Sequence, residues 1–332
     1  MTQARGSQIS LIDTCYYHLT SRCIRRAFLC GKDEFTNRNC EHRRQWMVDR
    51  IRFLTSVFAI DVAAYAVMSN HYHLIVYVNE QEALTWSDEE VCRRWLQLYR
   101  NHPLVKRWQC GETTTAAENE AALAIIDKWR GRLSDISWLM RGLNEYIARK
   151  ANKEDKCQGR FWEGRFKSQA LLDEKAVLAC MAYVELNPVR AKMASTVQTS
   201  EYTSIYERLH SKASKQDKPA DLPFKVKPLL RFIGNGYQKQ TKGLAFSLLD
   251  YFELVEATGQ VIREDKRGYI DDNEFPLLKQ LGFSGSDWLD LAQHFGKKYH
   301  RAVGSLAELS RFAAHMEKKW IGGQRQQANI FN

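Results

Sequence analysis

With 332 residues, 44% of them apolar, the chain can bury a sizeable core in one or two domains, which excludes an intrinsically disordered protein. No apolar run reaches bilayer-spanning length, the start MTQARGSQIS lacks a leader's apolar core, and the eight cysteines form no CxxC pair. The expectation is therefore a soluble, intracellular protein with reduced thiols, whose formal charge of +10 suits a polyanionic partner.

In chain order, residues 11–22 alternate as a first strand, with His18 and Thr20 on one face and Tyr17 and Leu19 on the other. His18 faces either the core or a ligand, and a structural role is the preferred reading. Arg22, Arg25 and Arg26 follow as a basic cluster that suits phosphate contacts, or simply a solvated charge run. Cys23, Cys30, Cys40 and His42 match no zinc-knuckle spacing. Residues 33–57 pattern as a helix. A second strand over 59–68 and a third over 71–78 flank a tight Ser69-Asn70 turn, where Asn70 either caps the turn, the preferred reading, or touches DNA. Side chains alternate along a strand, so His71 and His73 share a face with Ile75 and Tyr77, while Tyr72, Leu74 and Val76 face the core. Two imidazoles at i and i+2 form half of a metal site, or two polar residues on a solvated face.

Helices are predicted over 84–101 and 117–150, the second carrying an apolar stripe of Ile136, Leu139, Met140, Leu143 and Ile147. In Gly159-Arg160-Phe161-Trp162-Glu163-Gly164-Arg165-Phe166-Lys167, basic and aromatic residues alternate between glycines. That suits a grip on single-stranded nucleic acid through Arg160, Trp162, Arg165 and Lys167, or a loop with a buried tryptophan. A short strand over 166–172 precedes a helix capped by Asp173, with Val177, Cys180, Met181 and Val184 as its apolar stripe. Tyr183 and Asn187, four residues apart, share a flank kept clear by Ala176 and Ala179, and Pro188 ends the helix. Glu185 points elsewhere, to a surface or structural role. The polar, proline-bearing stretch 211–228 reads as a linker, 229–320 as a helical C-terminal domain without a catalytic constellation that would help bind DNA or a partner, and 321–332 as a disordered tail.

The order strand, helix, hairpin, helices, strand, helix predicts an α+β chain with a ferredoxin-like antiparallel sheet backed by helices. The domain covers residues 1–210, with a helical insertion near 84–130. The segments Met68–Val76, Gly159–Lys167 and Tyr183–Ala191, with Tyr17–Arg22 before them and Tyr202-Thr203-Ser204 after, resemble the single-tyrosine HUH transposases. Among these, the sequence is most similar to the REP-associated tyrosine transposases.

The resemblance implies that His71 and His73 hold a divalent metal, Mg2+ or Mn2+, with Asn187 at the third ligand position. Asn187 is one methylene shorter than the glutamine many members carry there. By ligand type alone the set suggests zinc or manganese. Tyr183 is then the nucleophile, attacking single-stranded DNA to leave a 5′-phosphotyrosine link and a free 3′-hydroxyl, near a recognised hairpin. A bacterial, nucleoid-associated, cytoplasmic location follows, with monomer and homodimer both open. Two other classes stand beside this one: a non-catalytic DNA- or RNA-binding protein using the same sheet and basic surface, and a zinc hydrolase that forms no covalent adduct.

Overall fold

The computed structural model describes residues 8–24, 29–31, 39–210, 224–234, 242–263, 269–271, 273–324, 327, 330 and 331. Arg25, Arg26 and most of the expected linker lie outside these. Strand β1 (Tyr16–Arg22) and helix α1 (His42–Val57) precede the hairpin of β2 (Ile60–Val67) and β3 (His71–Val78). The turn is closed by the Met68 N–H, which donates to the His71 carbonyl at 2.9 Å.

The insertion contains α2 (Glu80–Leu84), α3 (Asp88–Trp95), α4 (Pro103–Gln109) and α5 (Ala116–Arg132). Each starts at a side-chain cap, from Asn79, Ser87, His102 and Thr115 in turn. Stacked rings of Trp95 and Trp129, 5.2 Å apart, hold α3 to α5. The predicted helix over 117–150 is two helices. Asp135 accepts the Ser137 and Trp138 N–H groups and so begins α6 (Ile136–Glu154) afresh.

Next come β4 (Lys167–Leu171), α7 (Glu174–Glu185), α8 (Asn187–Arg190) and α9 (Ser204–His210). The Asp173 carboxylate caps α7 by accepting the Ala176 N–H at 2.8 Å. Pro188 does not stop the helical course. It sits in the first turn of α8, where its missing N–H costs nothing. The C-terminal region adds α10 (Leu248–Ile262), α11 (Pro276–Leu281), α12 (Gly285–Lys298), β5 (Ala302–Val303) and α13 (Leu306–His315).

The strands form one sheet in the order β2-β3-β1-β4-β5. Neighbours among the first four are antiparallel, and β5 runs parallel to β4. Alternation along β3 splits its residues between two cores. Tyr72, Leu74 and Val76 join Tyr17 and Leu19 under α1 and α6, whereas Ile75 meets α7 on the other face.

α7 is buried almost all round, as a helix apolar on every side must be. Its flank beside Ala176 and Ala179 is not left clear: α12 lies along α7, and Trp288, Leu291 and Phe295 share its core. The C-terminal region is therefore built onto the sheet. The expected linker also docks at its described end, Lys227 pairing with Glu82 at 2.6 Å, and just beyond it the Leu230 N–H reaches the Val62 carbonyl. At its described residues the expected disordered tail is packed as well. Phe331 is buried against Phe283 and Tyr299, and the Gln327 amide accepts the Gly304 N–H and donates to the Ala302 carbonyl.

Candidate active site

The site lies on the sheet face toward α7. His71 and His73 project to that side, ring centroids 5.0 Å apart. His73 is 6% exposed and His71 half-buried. Strand β1 adds a third imidazole. His18 stacks on His73 at 5.1 Å, and its Nε2 lies 2.8 Å from His73 Nδ1.

The proton positions follow from the chain of partners. The Gln169 Nε2 donates to the Tyr299 carbonyl at 2.6 Å, which turns Oε1, an acceptor only, toward His18 Nδ1 at 3.0 Å. His18 therefore carries its proton on Nδ1 and offers the Nε2 lone pair to the Nδ1–H of His73. That leaves the His73 Nε2 as a lone pair, buried and without a hydrogen-bond partner among the described residues. His71 arrives at the same state separately, donating its Nδ1–H to the Asn70 carboxamide oxygen at 2.6 Å. The turn residue Asn70 thus also orients a site imidazole.

Burial keeps these rings neutral. It pushes His18 and His71 down to about 4, the charges of Arg22 and Arg190 adding to the effect on His71. His73 is held well below the usual imidazole range, first by burial and then by His18, His71 and Arg190.

The Tyr183 ring closes the group, at 5.7 Å from His73 and 6.4 Å from His18. Two further neighbours fix it. The Arg190 guanidinium lies 4.0 Å over its ring centroid, a desolvated cation–π contact of about 2 kcal/mol. Its other end donates to the Ala292 carbonyl of α12. Opposite, the Tyr183 hydroxyl rests on Gly296, where an added Cβ would sit 2.5 Å from the oxygen. Burial raises the phenol's pKa and Arg190 opposes that rise. Neither Arg190 nor Gly296 is singled out by sequence reasoning. Arg190 stands seven residues after Tyr183, the helical spacing that could have marked it.

A cleft of about 610 Å³ opens in front of His18, His73 and Tyr183. Arg165 and Lys167 line one side, and the C-terminal region supplies Gly296, Tyr299, His300 and Arg301. Arg22 and Arg160 are exposed, and Arg22 pairs with His71 across the strands. Trp162 is turned inward, 8% exposed, its indole N–H donated to the Asn144 carbonyl at 2.8 Å and its ring against Tyr72. Of the two readings of that loop, the buried tryptophan describes the geometry. Glu185 is fully buried, accepting from Ser204 at 2.6 Å and from Tyr251.

The donors suit a metal ion. A buried imidazole nitrogen with no partner costs about 1–3 kcal/mol, which ligation would recover. Each ring's other nitrogen is already engaged, as metal-ligating histidines generally show. Asn187 is 9% exposed, its Nδ2 without a partner among the described residues. No three His, Cys, Asp or Glu side chains among the described residues are placed together to hold a metal. No cysteine is paired in a disulfide. No helix among the described residues is long and apolar enough to cross a membrane.

No protein-family model and no curated protein matches this chain. Among solved structures it is similar to one described as the REP associates tyrosine transposase bound to a REP hairpin. That likeness has 13% identity and covers 70% of this chain and 99% of the other, with a TM-score of 0.37. A likeness this loose defines neither the fold nor the activity of the chain.

Proposed function

We propose that the chain is a metal-dependent transesterase that cuts and rejoins single-stranded DNA through Tyr183, as its motif resemblance to single-tyrosine HUH transposases implies. The observation that carries this reading is the partnerless Nε2 of His73, aligned by His18 and Gln169, beside the Tyr183 ring. The order of the first four strands, with β1 between β3 and β4, also fits the ferredoxin-like arrangement of that family.

In this reading His71 and His73, through their Nε2 atoms, and Asn187, through its carboxamide oxygen, hold Mg2+ or Mn2+. When bound, the ion supplies Lewis-acid polarisation of the scissile phosphate. The chain's own residues do the rest. Arg190 and Gly296 hold the phenol in place, and Arg190 favours its ionised form. Tyr183 Oη attacks phosphorus after losing its proton to water in the cleft. The bond to the 3′-oxygen breaks, that oxygen takes up a proton, and the 5′-phosphate stays on Tyr183. Rejoining is the reverse: a DNA 3′-hydroxyl attacks phosphorus and the phenol regains its proton. The covalent link conserves the phosphodiester, so rejoining needs no nucleotide cofactor. Arg22, Arg165, Lys167 and Arg301 draw the strand's phosphates along the cleft.

The test is to incubate the full chain with end-labelled hairpin DNA carrying single-stranded flanks, plus Mg2+ or Mn2+. A denaturation-resistant protein–DNA adduct is expected, abolished by Tyr183→Phe and by chelator. Tight binding without any adduct across diverse strands would favour the non-catalytic binder. Multiple turnover without an adduct would favour a hydrolase.

A further inference from the structure

A second basic cleft, of about 440 Å³, lies between α1 and α6. Five cations line it, Arg50, Arg141, Arg149, Lys150 and Lys153, against one carboxylate, Glu145. Glu145 divides its charge between two of them, pairing with Arg141 at 3.4 Å and with Arg149. The acids at the end of α6 do not neutralise the rest. Glu154 and Asp155 are drawn away by the buried Arg43, at 2.7 and 2.5 Å.

The cleft has aromatic walls. Its aromatic lining residues are Tyr99 and Tyr146, with Arg50 stacked on Tyr146 at 4.4 Å, while Lys150 lies 4.1 Å over Trp46, outside the lining. Arg141, Arg149 and Lys153 stand at multiples of four along α6, on a row that winds about 120° around the helix over roughly 18 Å of its length.

We propose that this cleft is a second nucleic-acid site, which binds the sugar–phosphate backbone of duplex DNA. A mononucleotide or a free phosphate engages one or two of these cations. Duplex DNA carries one charge per about 1.7 Å of its axis, and so meets the whole row. The strand at Tyr183 is not the occupant. Tyr72, on the sheet face opposite the histidines, bonds Asn144 of α6 at 2.6 Å, which puts α6 and its outer cleft behind the sheet. Sheet and helix layers together separate the two sites by roughly 20 Å. The paired part of a substrate whose single-stranded part enters the first cleft fits this surface. Only that assignment of the DNA's two parts rests on the proposed function.

The experiment measures binding of the full-length protein to a labelled duplex of about 20 bp, roughly 68 Å of axis, over a range of salt. It uses wild type, the charge-swapped Arg141→Glu/Arg149→Glu/Lys153→Glu and the neutral Arg141→Gln/Arg149→Gln/Lys153→Gln. The swap is expected to weaken duplex binding at least tenfold and to lower the slope of log K against log salt by about 2–3. The neutral variant should fall between it and wild type, with unchanged melting temperatures. Unchanged duplex affinity and slope in both variants overturn the proposal, as does an equal loss for a short single strand. Tyr183→Phe keeps duplex binding. If wild type forms no adduct at all, the proposed chemistry fails while the duplex titration still decides this site.

Discussion

His18 is where residue-level chemistry departs most from a reading of its own strand. Its imidazole transmits the orientation of Gln169 to His73, and so decides which nitrogen of His73 faces the cleft. Loss of a group that positions a metal-ligating histidine typically costs 10- to 100-fold in metal affinity. For His18→Phe we expect the Mn2+ concentration giving half-maximal adduct to rise by about that factor, with the yield recovering at high Mn2+. A yield that stays low at saturating metal would refute a positioning role. Gly296 makes a second, sharper prediction. Alanine favours a helix over glycine by about 1 kcal/mol, so Gly296→Ala should keep or raise the melting temperature. Its methyl, however, takes the place where the Tyr183 hydroxyl rests. Adduct formation should fall at least tenfold while DNA affinity holds, and a variant as active as wild type would show that the phenol reacts from elsewhere.

At the scale of elements, α7 explains how the site is held and why it was only half legible. Glu185 ties this helix to Ser204 at the start of α9 and to Tyr251 of α10, with Arg208 the main opposing charge. Glu185→Ala leaves these partners buried and unsatisfied, and should destabilise the fold by about 2–4 kcal/mol in denaturant melts. Burial raises the Glu185 pKa above the ordinary carboxylate value. A raised acid contributes stability that is fully present below the unfolded value near 4.5 and is lost as pH rises through the folded one. The stability of Glu185→Gln relative to wild type should therefore improve from pH 4.5 toward neutrality, and a pH-independent difference would contradict that burial. The period-two alternation of β3 was enough to place His71 and His73 together, and the Asp173 cap to start α7. His18 was not legible, because which strands pair is set by long-range topology that no local period encodes. The cover over the Tyr183 flank was missed for a related reason: an apolar stripe says that a helix is buried but not by what, although Leu178, Ala179 and Ala182 already make α7 apolar beyond one stripe.

At the scale of the whole molecule, the same cover decides what the C-terminal region is for. Read by composition, residues 229–320 form a helical C-terminal domain separate from the sheet. Their packing argues otherwise. Trp288, Leu291 and Phe295 are fully buried in the core shared with α7, and β5 extends the sheet beyond β4. Burying three such side chains contributes on the order of 5 kcal/mol or more, comparable with the total stability of many domains. The region also supplies the Tyr299 carbonyl that begins the imidazole relay and the Gly296 surface under the phenol. A chain ending at residue 210 should consequently aggregate or melt at least ~10 °C lower, since each kcal/mol lost shifts the midpoint of a domain this size by about 2–4 °C. It should also fail to form adduct even where it stays soluble, because Gln169 and Tyr183 have lost their supports. A truncated chain that melts cooperatively near the full-length temperature and still links to DNA would show instead that the N-terminal half is self-sufficient and the C-terminal half a separable addition.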